Sequence, residues 1–465
     1  MENLTGGTPP VRYLPCVVPC KLYFLCLVIP PAFHKRATPE DWLNDIRYEH
    51  TAPERVRSID DNSDALLWRL RLIEEAKERI ILTTFDFWDE ESGQDVIGAL
   101  WAAAERGVRV QVLLDGINGG HFLPMSRNLC QLSSHENVEI RLYNPINLLT
   151  PWKINYRMHD KYLIADDFAY ILGGRNTDNR FLGNYQEHYN VDRDILVYET
   201  EPGAGQSYQQ LMNYFEAVWA LPCCKVFKDS RCESDLAGCY EQTAQRYPEV
   251  FTDSLTTAEW ESATLAAYSV ELWSNPIEPE NKTPILWARM VDAMAQDSNV
   301  LVQTPYIICS KDMYEDLRTV CAAGTRTDIL INAVESGTNP FGCTDYLNQK
   351  THLRSTGTHI YEYLGEQAQH TKAVLIGEDL TLAGSCNFDM RSVYLDTELM
   401  LAIKSPGLNA QIRAQLDVLK ESSRHMSPDG SIEDGPSYVP RKLSWGKEAM
   451  YAVLRVITLP FRHLL

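Results

Sequence analysis

His159-Asp160-Lys161-Tyr162-Leu163-Ile164-Ala165-Asp166 and His370-Thr371-Lys372-Ala373-Val374-Leu375-Ile376-Gly377 are one pattern written twice. Each stretch runs into a turn and a second short apolar strand, which ends in Gly173-Gly174-Arg175-Asn176 in the first copy and Gly384-Ser385-Cys386-Asn387 in the second. In both copies the asparagine follows the histidine by 17 positions. A shared His, Lys, small-residue step and Asn at one spacing is improbable for unrelated segments, so the chain carries an internal duplication.

The repeat extends outward. Val96 to Ala104 has helical periodicity, Gly107 stops it, Val108 to Leu114 reads as a strand, and Asp115-Gly116 makes a turn. Leu317 to Ala323, Gly324 and Thr327 to Ile331 repeat the order helix, stop, strand. The expected fold is therefore α/β: two similar lobes, each a mixed β-sheet flanked by helices, with a pseudo-twofold active site between them. The boundaries are read as a membrane-proximal tail over 1–45, a first lobe over 46–215, an insert over 216–258, a second lobe over 259–420, a flexible linker over 421–440 and a basic amphipathic segment over 441–465.

Residues two apart on a strand share a face, so His159 joins Lys161, and His370 joins Lys372. The small residues let backbone approach closely, and Asn176 and Asn387 add amide donors for a phosphate. Opposed across a pseudo-twofold axis, the two copies gather two imidazoles, two ammonium groups and two carboxamides around one phosphorus. One neutral imidazole can then attack in line while the other, protonated, serves the departing alkoxide. A lone H-x-K is usually incidental, and the matched second copy is what gives this one weight. His121, His188 and His359 have no such partner pattern and read as structural or exposed.

These motifs resemble the phospholipase D superfamily, marked by paired H-x-K-x4-D motifs followed by G-G/S-x-N. The resemblance spans roughly residues 60 to 420. Within it, Arg157-Met158-His159, Arg193-Asp194, Thr304-Pro305-Tyr306 and Phe388-Asp389-Met390-Arg391-Ser392 are similar to bacterial cardiolipin synthases. The resemblance implies a reaction without metal or cofactor through a phosphatidyl-histidine, with His159 as nucleophile and His370 as general acid and then base. It also implies a carboxylate behind each ring, for which Asp194 and Glu398 are the candidates, each open to either ring, and it adds the motif carboxylate Asp166. Gly377 departs from the pattern where the second motif's Asp belongs. Asp and Gly both form turns, so the position reads as structural, with Glu378 or Asp379 as substitutes.

A net charge of −20 disfavours a general nucleic-acid binder, because its far field repels phosphates. The 12 cysteines are too scattered for a disulfide framework. Cys223, Cys224, Cys232 and Cys239 lack paired CxxC knuckles and a nearby histidine, so they read as reduced thiols rather than a zinc site. Leu14 to Phe33 is apolar but interrupted by prolines, which suits an interfacial tail better than a span. Trp445, Met450, Val453, Leu454, Ile457 and Phe461 alternate with Lys442, Lys447, Arg455 and Arg462, the composition of a helix that lies on lipid or packs its apolar stripe on the parent lobe.

Together the resemblance and the tails imply transfer of a phosphatidyl group from one phospholipid, phosphatidylglycerol or phosphatidylethanolamine, to the alcohol of another, phosphatidylglycerol, giving cardiolipin and a small polyol or amine at an anionic membrane, a bacterial inner membrane by the resemblance. Hydrolysis, nuclease action or a degenerate scaffold are the rival readings. Both motifs lie in one chain, so no second subunit is needed to complete the site.

Overall fold

Two nine-stranded sheets share the order of eight consecutive strands, each with one extra strand at the opposite edge, in the computed structural model, which describes residues 25–41, 53–118, 126–252 and 254–465. The first runs, in space, through Leu265–Ala266, Glu54–Ile59, Asp194–Glu199, Ala169–Gly173, Tyr162–Ala165, Arg79–Thr84, Arg109–Asp115, Val138–Tyr143 and Cys224–Phe227. The second runs through Ser269–Ser274, Leu399–Lys404, Leu380–Gly384, Ala373–Ile376, Asn299–Gln303, Arg326–Asn332, His359–Tyr363, Ser423–Met426 and Ile432–Asp434. Within each, the three strands that alternate with helices pair in parallel and the motif hairpin pairs antiparallel. The hairpin registers match: Tyr162 faces Leu172 and Ala373 faces Ala383.

Alternation along these strands explains why they are buried throughout. Leu163 and Ala165 enter a core capped by the first lobe's helices, while Tyr162 and Ile164 enter a second core. Val374 and Ile376 likewise face the second lobe's helices, and Leu375 joins that same second core. The shared core is thus built from the inner faces of both sheets, with Ile81, Leu113, Leu301 and Leu399 among its members. Each fully buried aliphatic side chain contributes ~1.5–3 kcal/mol, which makes the lobe contact an interior rather than a hinge. Side chains cap the helices that cover the outer faces: Asp61 accepts from the backbone of Ser63 and Asp64, and Asn339 from Phe341 and Gly342.

Three boundaries differ from the sequence reading, the first being the start of the second lobe: Trp260 lies in the first lobe's core and Leu265–Ala266 pairs with Glu54–Ile59, so 259–266 belongs to the first lobe. Residues 421–440 are not a flexible linker, because Ser423–Met426 and Ile432–Asp434 extend the second sheet from the strand His359–Tyr363. The insert over 216–258 closes on the first lobe, where Cys224–Phe227 pairs with Val138–Tyr143 and the helix Leu236–Arg246 packs on Glu91–Glu105. Among the described residues, no helix is long and apolar enough to cross a membrane. Leu14 to Phe24 of the apolar tail, and His121, lie outside the described residues.

Candidate active site

The two histidines sit just before their strands, on extended segments stitched to the opposite lobe. His159 donates its backbone N–H to Thr397, at 3.3 Å from the carbonyl and 3.2 Å from the hydroxyl. His370 donates its own to the carbonyl of Val191 at 2.7 Å. Ala368-Gln369 pairs in parallel with Asn190-Val191, and Met158 bridges Thr397 in the same sense. These reciprocal crossings fix both histidines at the seam between the sheets.

Each lobe anchors its histidine from the end of a neighbouring strand. Asp115 closes Arg109–Asp115, accepts the backbone N–H of Met158 at 3.1 Å and pairs with Arg157 Nε at 2.9 Å. Asn332 closes Arg326–Asn332 and accepts the backbone N–H of Gln369 at 2.8 Å. The same position thus does the same work in both halves, with a charged pair in one and a carboxamide in the other. Arg157 is buried and spends its remaining donors on the carbonyls of Tyr143 and Asn144.

The ring partners cross the seam as well. Glu398 Oε1 lies 2.9 Å from His159 Nδ1, and Asp192 Oδ2 lies 2.6 Å from His370 Nδ1. Ser385 and Ser392 donate to Glu398, whereas Asp192 accepts the backbone N–H of Arg193 at 2.7 Å. Gly174, the counterpart of Ser385, must be glycine here, since a Cβ would stand 2.5 Å from Asp192 Oδ1. With Nδ1 of each ring facing a carboxylate, Nε2 is the atom available for chemistry, and at His370 it also lies 3.2 Å from Lys372 Nζ.

Lys161 Nζ donates to the His159 carbonyl at 2.5 Å, and Lys372 Nζ lies 2.5 Å from His370 Nδ1 and 3.6 Å from Asp192. Asn176 and Asn387 are buried with Oδ1 lacking a hydrogen-bond partner among the described residues. Phe85 meets the His159 ring edge-on at 4.9 Å, and Phe181 tilts against His370 at 4.9 Å. Each imidazole thus has one aromatic face beside its charged partners.

Burial drives the electrostatics. It pushes His159 well below the usual imidazole range, reinforced by Lys161, and it pushes His370 down to about 4, reinforced by Lys372. Lys161 falls to about 7 for the same reason, and Lys372 also falls. The two carboxylates part company. Burial lifts Glu398 to about 8, while at Asp192 the nearby Lys372 and His370 overcome burial and hold the carboxyl far below its ordinary value. Each lysine is felt by groups of the opposite lobe, Lys161 at His370 and Lys372 at His159.

Asp194 meets neither ring. Its Oδ2 pairs with Arg69 at 2.8 Å and Arg175 at 3.3 Å, inside the first lobe. The residue behind His370 is Asp192, missed because Arg193-Asp194 drew attention by resemblance. Strand register held the missing signal: Gly173 faces Asp194 as Gly384 faces Met400, so Glu398 corresponds to the residue two places before Asp194.

Asp166 stands apart from both rings too. At φ +47° it turns the hairpin and accepts the backbone N–H groups of Lys77, Glu78 and Arg79 at 2.7–2.9 Å. Gly377 turns the second hairpin at φ +57°, where Asp297 of the facing turn fills the space; a Cβ on Gly377 would lie 2.4 Å from Asp297 Oδ2. Neither Glu378 nor Asp379 is needed as a substitute, because the motif's last position serves the turn. Cys223, Cys224, Cys232 and Cys239 form no common cluster of metal-ligand atoms among the described residues; Cys232 gathers instead with Cys130 and Asp229, their ligand atoms all within 4.8 Å.

The chain matches the family profile described as cardiolipin synthase, PLD-like domain, over residues 70–219 and 290–420. It is 25% identical over 394 residues to cardiolipin synthase C of Escherichia coli, covering 75% of this chain and 81% of that one. It is 23% identical over 406 residues to an uncharacterized protein of Helicobacter pylori, covering 79% and 80%. The crystal structure of phosphatidylserine synthase from Haemophilus influenzae superposes with a TM-score of 0.62 at 15% identity, over 92% of this chain and 99% of that one. That last likeness concerns the fold.

Proposed function

Because the chain belongs to the cardiolipin synthase, PLD-like domain family, a family of phospholipid-modifying phosphatidyltransferases, we propose that it moves a phosphatidyl group from one phospholipid to the hydroxyl of phosphatidylglycerol, forming cardiolipin. The observation that carries this reading is the reciprocal pairing of His159 with Glu398 and His370 with Asp192 across the lobe seam.

The pairing makes two histidines unequal. A pair that holds one proton between Nδ1 and the carboxylate leaves Nε2 free to attack, and the strongly buried His159 with Glu398 is suited to stay in that state. Asp192, held ionised, raises His370 against the burial and the Lys372 charge that push it down to about 4, and a bound phosphodiester anion would raise it further. In this scheme His159 Nε2 is the nucleophile: its bond to phosphorus forms as the phosphorus–oxygen bond to the donor's headgroup alcohol breaks, and His370, protonated once the substrate anion is bound, passes that proton to the departing alkoxide. In the second step His370 takes the proton of the incoming hydroxyl, whose oxygen attacks phosphorus and releases His159. Lys161, Lys372, Asn176 and Asn387 bind the non-bridging oxygens, where fixed, buried cations and amides stabilise the developing charge. No metal or cofactor is required in this scheme.

The test is mass spectrometry of lipids after purified protein meets phosphatidylglycerol, with and without phosphatidylethanolamine, beside His159→Ala. Cardiolipin that disappears in the variant supports the proposal. Phosphatidic acid alone would make the protein a hydrolase, and unchanged lipids would overturn the reading.

A further inference from the structure

The helix Trp445–Ile457 is docked the wrong way round for a water-exposed element. Tyr451 is buried against the helix Pro340–Arg354, yet Trp445, Ala449, Val453 and Val456, which recur on one face of the helix, all point outward. Trp445 is 84% exposed and Val456 70%. A helix packing for stability alone would bury that stripe.

Two further apolar edges meet the turn Leu459–Leu464 that follows this helix. Leu149, 86% exposed, heads the loop that leads through Trp152 and Asn155 to His159. Phe33, 69% exposed, lies on the N-terminal strap. Hydrogen bonds bind the three together: Asn155 Nδ2 donates to the Leu27 carbonyl at 2.7 Å, and His463 Nε2 lies 2.8 Å from the Val28 carbonyl. Arg391, from the motif beside the site, donates to the carbonyls of both Asn155 and Leu464 at 2.8 and 3.1 Å. Three segments far apart in sequence thus converge on one seam, four residues from His159.

We infer that this seam carries a single docking face for an anionic lipid bilayer, with the Leu149 loop and the outer stripe of Trp445–Ile457 inserted among the acyl chains beside the reaction centre. Charge chooses the bilayer over a second copy of the chain. Arg441, Lys442, Lys447 and Arg455 stand around the stripe with Glu448 as the only acid between 441 and 457, in a chain of net charge −20. A second copy would bring its own positive stripe, whereas anionic headgroups complement it. Shallow insertion beside His159 would let a phosphodiester at headgroup depth reach the site without leaving the bilayer. The choice of lipid rests on the phosphatidyl-transfer reading; the docking face does not.

The experiment is flotation of full-length protein with vesicles of phosphatidylethanolamine and phosphatidylglycerol in equal parts, comparing native protein, Leu149→Glu/Val456→Glu and His159→Ala. Native protein and His159→Ala are expected to float equally, and the double variant to bind at least about tenfold more weakly. Turnover of short-chain phosphatidylglycerol dissolved below its micelle concentration should be unchanged in the double variant, which also shows that it folds. Native protein that stays off the vesicles, or a double variant that floats as well as native, overturns the inference. So does a native dimer that the double variant dissolves, since the occupant would then be a second copy. Vesicle binding without short-chain turnover would leave the docking face standing and sink the phosphatidyl-transfer reading.

Discussion

Glu398 Oε1 stands 2.9 Å from His159 Nδ1, although the two residues are 239 positions apart and belong to different lobes. Asp192 and His370 repeat the contact in the opposite direction. Neither lobe holds a complete histidine–carboxylate pair of its own, so separating the lobes would dismantle both pairs together.

Asp192→Asn and Glu398→Gln should each lower kcat by about 10²–10⁴-fold with little change in KM, because each removes the group that sets one ring's proton position. Steady-state kinetics on phosphatidylglycerol test this. An effect on KM alone would show that the carboxylates bind substrate instead.

Asp194→Asn should behave differently. It leaves Arg69 and Arg175 buried without their counter-charge and is expected to destabilise the fold by ~3–5 kcal/mol. A urea titration followed by circular dichroism would report it. If stability is retained and turnover is lost, Asp194 acts in the chemistry after all.

Restoring the motif carboxylate with Gly377→Asp should destabilise the protein and leave kcat per folded molecule unchanged. The new side chain would face Asp297 from a backbone at φ +57°. Gly377→Asp combined with Asp297→Gly should recover the melting temperature, because the exchange recreates the first lobe's arrangement around Asp166. A gain in kcat from Gly377→Asp alone would mean the position contributes to catalysis.

Alkaline pH should weaken the first lobe. Burial raises Glu54 to about 7 and, with Glu54 alongside, Glu199 to about 9, so both carboxyls hold protons when folded that they would release when unfolded. Their contribution is complete below the ordinary carboxyl pKa of 4.5 and is lost as pH rises through about 7 and then about 9. Denaturation midpoints should therefore fall across that window, and Glu199→Gln should flatten the fall. An unchanged slope in the variant would place the titration elsewhere.

The repeated His-x-Lys motif and its fixed distance to Asn were sufficient, from sequence, for two α/β lobes that bring both histidines to one seam. These are local patterns: alternation that forms a hairpin and small residues that permit close approach. Glu398 was named as a candidate through the resemblance but could not be matched to a ring, and Asp192 was hidden behind the more conspicuous Arg193-Asp194. Asp166 and Gly377 were readable as turn formers, but only the structure shows Asp297 occupying the space opposite Gly377.

What sequence alone determined was the duplication, the identity of the paired histidines and lysines, and the amphipathic character of the C-terminal segment. Tertiary structure decided which carboxylate meets which ring and which way the helix Trp445–Ile457 faces. Periodicity is a property of neighbouring residues and survives in a string of letters. The crossing of Thr397-Glu398 to His159, and of Val191-Asp192 to His370, exists only because the inner faces of two sheets bury a common core and bring distant strand ends into register.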